Sequence, residues 1–215
     1  MRKPADQVAE SVKAFRYLPQ ALDGPAQREL AAAIGEILAA APPFQPAMPR
    51  TGKPFSVRMS NCGPLGWVSD KTAGYRYQPT HPVTGEPWPA MPAALSALWR
   101  DVARYPAPPE ACLINLYDAT AKMGAHQDRD EVDFAAPVLS VSLGDDAVFH
   151  VGGLKRTDPK IRLTLRSGDV LILEGPSRLA YHGIDRVLGG TSTLLPGGGR
   201  INLTLRRVTA VQAIG

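Results

Sequence analysis

The chain has 215 residues, 44% of them hydrophobic and 20% charged, which suits one globular domain and argues against wholesale disorder. No run approaches the roughly 18 uninterrupted apolar residues of a membrane-crossing helix, and the basic start MRKPADQVAESVKAFRYL lacks the apolar stretch of a secretory signal. Cys62 and Cys112 are too few for a disulfide framework or a paired-cysteine zinc motif, so a reducing cytoplasm is expected, and the net charge of +4 leans mildly toward a polyanionic partner.

In chain order, the first helix is announced by Asp23 as cap and Pro25 in the first turn, followed by Leu30, Ile34, Ile37 and Leu38 on one stripe. Residues 42–92 are rich in proline and glycine, with Trp67, Tyr75, Tyr77 and Trp88 among Arg50, Lys53, Arg58, Lys71 and Arg76. Turns and short strands are expected there, forming a lid or binding surface. A second helix follows Pro92, with Leu95, Leu98, Trp99 and Val102 at helical spacing and Trp99 as a core residue. From Cys112 the pattern becomes short β-rich runs: Cys112–Tyr117, Val138–Leu143, Ala147–Val151, Ile161–Leu165, Val170–Leu173 and Arg200–Arg206. Turn signals separate them, which predicts an antiparallel sandwich or jelly roll with the helices packed outside one sheet.

Chemistry concentrates in two places. His126-Gln127-Asp128 puts an imidazole and a carboxylate two residues apart, on one side of an extended segment. A third ligand would complete a two-histidine, one-carboxylate face, the arrangement that suits non-haem iron(II) because opposite positions stay open. His182, expected just after a strand and before the turn-permitting Gly183, fits that place better than His150 or His81, and the same ligands also suit zinc. The second place is Arg200-Ile201-Asn202-Leu203-Thr204-Leu205-Arg206, which alternates without a fault. Its polar face is either the solvated side of an edge strand or the lining of a cavity for a small dicarboxylate such as 2-oxoglutarate, since arginine binds carboxylate in a bidentate fork.

Together these segments resemble the AlkB family of iron(II)- and 2-oxoglutarate-dependent dioxygenases. The residues that carry the likeness are Asn115-Leu116-Tyr117, His126 to Glu131, Pro137 to Gly144, Gly152 to Arg156, Gly168-Asp169-Val170, Ser177 to Ile184 and Arg200 to Arg206. Gly66-Trp67, Gly74 to Tyr77 and Pro87 to Pro92 extend it upstream, so that it covers about residues 50 to 207, while the spacing from Trp67 to Gly74 is one residue longer than the family's pattern.

The resemblance implies an α+β, mostly β fold: a double-stranded β-helix (jelly roll) over about 112–207, N-terminal helices packed on one sheet, and a nucleotide-recognition lid over about 42–92, all in one domain of residues 1–215. It implies iron(II) held by His126, Asp128 and His182, and 2-oxoglutarate held by Asn115, Tyr117, Arg200, Asn202 and Arg206, with O2 as the third participant. Arg200 would meet the distal carboxylate and Arg206 would lie near the one beside the keto group. Trp67 would stack on the target base, Tyr75 (or Tyr77 in exchange) would meet the phosphate backbone, Asp130 would bond the damaged base, and Arg156, Lys122 and Gln127 would border the nucleic-acid cleft. The implied activity is oxidative demethylation of 1-methyladenine and 3-methylcytosine in DNA, preferentially single-stranded, by a cytoplasmic monomer. RNA or a protein as substrate, or a non-catalytic nucleic-acid-binding sandwich, are the alternatives.

Overall fold

The computed structural model describes residues 15–211. The basic amino-terminal stretch lies outside the described residues as far as residue 14. Among the described residues, no helix is long and apolar enough to cross a membrane.

The elements run β1 (Arg16–Leu18), α1 (Gly24–Ala40), β2 (Arg58–Cys62), β3 (Gly66–Asp70), β4 (Gly74–Gln78), α2 (Ala93–Val102), β5 (Ala111–Tyr117) and β6 (Met123–His126). They continue with β7 (Val138–Gly144), β8 (Asp146–Val151), β9 (Ile161–Leu165), β10 (Val170–Leu173), β11 (His182–Leu188) and β12 (Arg200–Arg206). The first helix starts as its sequence asks: the Asp23 carboxylate accepts the Ala26 backbone N–H at 2.9 Å, and Pro25 occupies the first turn.

Six strands form one sheet in the order β1-β10-β7-β12-β5-β2, and four form a second in the order β6-β11-β8-β9. A separate hairpin, β3–β4, holds Trp67 and Tyr75. Strand alternation divides the apolar residues into two layers. Ile114, Leu139, Val141, Val170, Ile172, Leu203 and Leu205 face the helices, where Leu30, Ile34, Ile37, Leu95 and Trp99 are buried against them. Residues of the opposite strand face, Leu113, Tyr117, Leu171 and Leu173, turn inward with Phe149, Val151 and Ile184 of the second sheet. Each fully buried Leu or Ile stabilises this two-sheet, helix-backed jelly roll by roughly 1.5–3 kcal/mol. The inward layer is not wholly apolar, and its polar interruptions form the site.

One placement decides between the two readings of the arginine strand, and another differs from the sequence expectation. β12 lies between β7 and β5, paired on both sides over its whole length, so it is a central strand and not an edge. An apolar face against α1 and α2 and a polar face turned into the molecule explain its unbroken alternation. His182 does not follow a strand but opens β11, after a single 3-10 turn at Gly175–Ser177. The run before His182 contains Pro176 and Gly175, which favour that turn over an extended chain. The segment 42–92 holds the short strands expected of it, and one of them, β2, joins the six-stranded sheet beside β5.

Where β7 ends it packs against the turn before β12, and only glycine fits there. Gly144 has φ +86, and a Cβ there would lie 2.5 Å from the Gly199 carbonyl oxygen. The neighbouring Asp145 carboxylate accepts the backbone N–H groups of Ser192 at 3.0 Å and Gly199 at 2.9 Å. This turn fixes where β12 begins, and therefore where Arg200 points.

Candidate active site

His126 ends β6, His182 begins β11, and the two are register partners across the second sheet. Their ring centroids lie 4.5 Å apart. Asp128, two residues past the end of β6, turns its carboxylate to both: Oδ1 lies 3.7 Å from His126 Nε2 and Oδ2 lies 3.8 Å from His182 Nε2. These separations are within twice the ~2.1 Å bond that imidazole and carboxylate make to a metal, so one cation can reach all three.

The hydrogen bonds prepare those atoms. His126 Nδ1 meets the Gly124 carbonyl at 3.0 Å and His182 Nδ1 meets the Ala180 carbonyl at 2.9 Å, so each ring donates from Nδ1 and leaves Nε2 bare. Asp128 Oδ2 is buried without a hydrogen-bond partner. A buried carboxylate oxygen in that condition is costly unless a cation meets it. Burial raises the Asp128 carboxyl, but Arg206, His182 and His126 outweigh it and hold the group below the usual carboxylate range. His182 is pushed down to about 4, by burial first and by His126 second, which keeps it in the neutral form a metal requires. The triad therefore fits a divalent ion.

The polar face of β12 adjoins it. Burial would lower Arg206, but Asp128, 2.9 Å from Nη2, raises it above its ordinary value. Its Nε and Nη1 have no hydrogen-bond partner. Asn202 donates to Ser140 Oγ at 2.7 Å and faces Asn115, whose Oδ1 is also unpartnered. Asn115, Tyr117, Asn202 and Arg206 all line a cleft of about 750 Å³ that the His–Asp–His group also borders. Arg200 does not line it: it is 1% exposed, opposite Tyr117 in register, and donates to Ser142 Oγ at 2.7 Å. Burial lowers it to about 10, and its Nε remains without a partner. Orphaned donors at Arg200 and Arg206 are what a charged dicarboxylate would satisfy.

The hairpin covers the other side of the cleft. Trp67 stacks on Tyr75 with centroids 5.5 Å apart and planes 24° apart, and Phe55 stands edge-on at 6.2 Å. Asp130 accepts the Trp67 indole N–H at 2.8 Å. Arg156 lies over the Tyr181 ring at 5.2 Å and borders the cleft, as do Lys122 and Gln127. Gln127 also donates to the Leu179 carbonyl at 2.6 Å, a bond that ties the ligand segment to the turn before His182. Tyr75 is exposed, whereas Tyr77 is turned to Glu131, so the two tyrosines are not interchangeable here.

Sequence reasoning assigned no role to Glu131 or Arg178, yet both are buried beside the triad. Arg178 donates to the Asp128 carbonyl at 2.6 Å, to the Ala136 carbonyl at 2.8 Å and to Glu131 at 3.0 Å. Glu131 in turn faces Arg206 and accepts from Tyr77. A buried charge needs a partner, and the HxDxDE run, with three carboxylates against one arginine, was the available signal. The other two histidines stand apart: His81 meets the Pro42 carbonyl and His150 meets Asp185.

The model of the 2OG-Fe(II) oxygenase superfamily matches residues 14–206. The "Alpha-ketoglutarate-dependent dioxygenase AlkB homolog" of Caulobacter vibrioides is 55% identical over 198 residues, spanning 91% of this chain and 88% of that one. This chain belongs to the AlkB family. The AlkB dioxygenase of Escherichia coli K12 is 47% identical over 169 residues, 77% of each chain. The solved structure of OsALKBH1 superposes with a TM-score of 0.78 at 28% identity, covering 90% of this chain and 96% of that one. As an AlkB-family member the chain is an iron(II)- and 2-oxoglutarate-dependent dioxygenase on a jelly-roll fold.

Proposed function

We propose that this dioxygenase removes alkyl groups from nucleic-acid bases, with 1-methyladenine and 3-methylcytosine in DNA, preferentially single-stranded, as substrates. The observation that carries it is one cleft with the His–Asp–His triad on one side and the Trp67–Tyr75 stack on the other. When bound, iron(II) with 2-oxoglutarate and O2 supplies the oxidising power that hydroxylates the N-methyl carbon, which then departs as formaldehyde. His126, Asp128 and His182 hold the metal in this reading. Asn115, Tyr117, Asn202 and Arg206 hold the cosubstrate from the cleft lining, and Arg200, buried outside that lining beside Tyr117, supplies positive charge toward the distal carboxylate.

Trp67 presents a flat face on which a flipped base stacks at about 1–3 kcal/mol, offsetting part of the cost of unstacking it. Asp130 fixes the indole with one oxygen and turns the other to the base. Methylation at adenine N1 or cytosine N3 makes the base cationic, so a carboxylate in a partly dry site favours the damaged form. Tyr75 and Arg156 meet the phosphate backbone from the rim. Residues 1–215 act as one domain, with 42–92 as the lid, in a cytoplasmic monomer.

Mass spectrometry of a single-stranded oligonucleotide carrying either lesion tests the proposal, with iron(II), 2-oxoglutarate and air supplied. The methyl group should disappear with wild-type protein and persist with His126→Ala. Survival of the methyl group while 2-oxoglutarate still becomes succinate would mean another substrate.

A further inference from the structure

His126 and His182 face each other across β6 and β11, so their spacing depends on how closely those strands approach. At the next residue, Gly183, the strands leave no room for a side chain. A Cβ there would lie 2.4 Å from the Met123 carbonyl oxygen and 2.9 Å from that of Gly124, the same carbonyl that orients His126. Gly183 is also in register with His150 on its other side, and the missing Cβ would lie 2.9 Å from His150 Cε1.

His150 belongs to the outer face of the second sheet, because Ala147, Phe149 and Val151 alternate into the core between the sheets. Even so, only 4% of it is exposed. Its Nδ1–H donates to Asp185 Oδ1 at 2.7 Å, and Arg162, its partner in register on β9, holds Asp185 Oδ2 at 2.7 Å. Nε2 has no partner, so Asp185 takes all the hydrogen bonding of this ring. Asp185 sits where the pairing of β11 with β8 shifts, between Ile184 and Arg186, and the pairing with β6 shifts between His182 and Ile184. The strand carrying a metal ligand is thus irregular on both edges just after that ligand, and irregular strands re-aim side chains according to what pins them. Neither His150 nor Asp185 lines the cleft.

Resting on the metal site proposed above, we infer that His150 and Asp185 are positioning residues, which clamp β11 at its bulge and hold His182 at chelating distance from His126. The bonded ring fills the space over Gly183, and its anchor reaches across β8, β9 and β11. Without the ring, β11 slides against β6, and the two imidazoles lose their common focus while the helix-backed sheet stays intact.

The test is an anaerobic titration of the full chain with iron(II) and 2-oxoglutarate, read by the visible absorption of the chelate, with thermal unfolding of metal-free protein alongside. His150→Ala should weaken iron binding about tenfold and alter the absorption band, as loss of residues supporting metal ligands does. His150→Asn, whose amide still reaches a carboxylate, should recover most of that loss. Asp185→Ala keeps the test decisive if His150→Ala fails to fold, since Asp185 is partly exposed, and it should weaken iron binding in the same direction. Iron affinity within about twofold of wild type in the folded variants, with an unchanged band, would overturn the inference. Equal losses in the Asn and Ala variants would also overturn it. Wild-type protein whose iron binding ignores His126→Ala would instead overturn the metal site, and the inference with it.

Discussion

The six-stranded sheet and the β3–β4 hairpin make opposite use of polar and aromatic residues. On the sheet, Arg200, Asn202 and Arg206 are charged or polar groups placed inward, pinned by two neighbouring strands and backed by α1 and α2. On the hairpin, Trp67 and Tyr75 are aromatic groups placed toward the open cleft, paired with each other and tied down by the Trp67–Asp130 bond. A preorganised charge must not move when its ligand arrives, whereas a stacking platform must admit bases. The scaffold should therefore govern whether the oxidation occurs, and the hairpin which molecule undergoes it.

Substitution can break this contrast. The largest effect is expected at the triad: Asp128→Ala should lower turnover by more than about 100-fold, because even residues supporting metal ligands are worth about 10–100-fold in affinity. Steady-state succinate formation measures it. Next comes Arg178→Ala, which removes the buried guanidinium that meets Glu131 Oε2 and the Asp128 carbonyl. It should destabilise the protein by about 3–5 kcal/mol in urea unfolding, the usual consequence of breaking a buried ion pair from one side.

Trp67→Ala should sharpen the contrast rather than break it. Removing the platform should weaken oligonucleotide binding by about 1–3 kcal/mol, roughly 5- to 150-fold, while the affinity for 2-oxoglutarate stays the same. Isothermal titration with each ligand separates the two.

The smallest effect concerns pH and belongs to the scaffold alone. Burial first, and the hydrogen bond to Asp169 second, push Tyr17 up to about 12. Its folded form thus holds the phenol proton more tightly than the unfolded chain, so this contribution is complete below pH ~10 and disappears as pH rises through 12. Chemical denaturation across that range should show a decline in wild type that Tyr17→Phe lacks.

Periodicity and spacing made the scaffold legible. The alternation of Arg200–Arg206 is visible in sequence because both faces of the strand are specified, one by helices and one by the cleft. The HxD pair and His182 were legible as chemistry, and only their cross-strand register awaited the structure. What stayed hidden depends on contacts distant in sequence. Arg178 reaches residues 42 to 50 positions away. Tyr77 and Glu131 are 54 apart, and His150 reads as an ordinary alternating strand residue until Asp185 lies beside it. Central placement of β12 was likewise invisible, since a strand's own pattern does not say how many neighbours it has.

The division between scaffold and hairpin is tested most directly by the formaldehyde released per succinate formed on a 1-methyladenine oligonucleotide, compared between wild type and Trp67→Ala. The account predicts a ratio near one in wild type, falling well below one in Trp67→Ala while succinate formation persists. A variant that loses succinate formation in step with formaldehyde would contradict it, because the hairpin would then be part of the oxidising machinery itself.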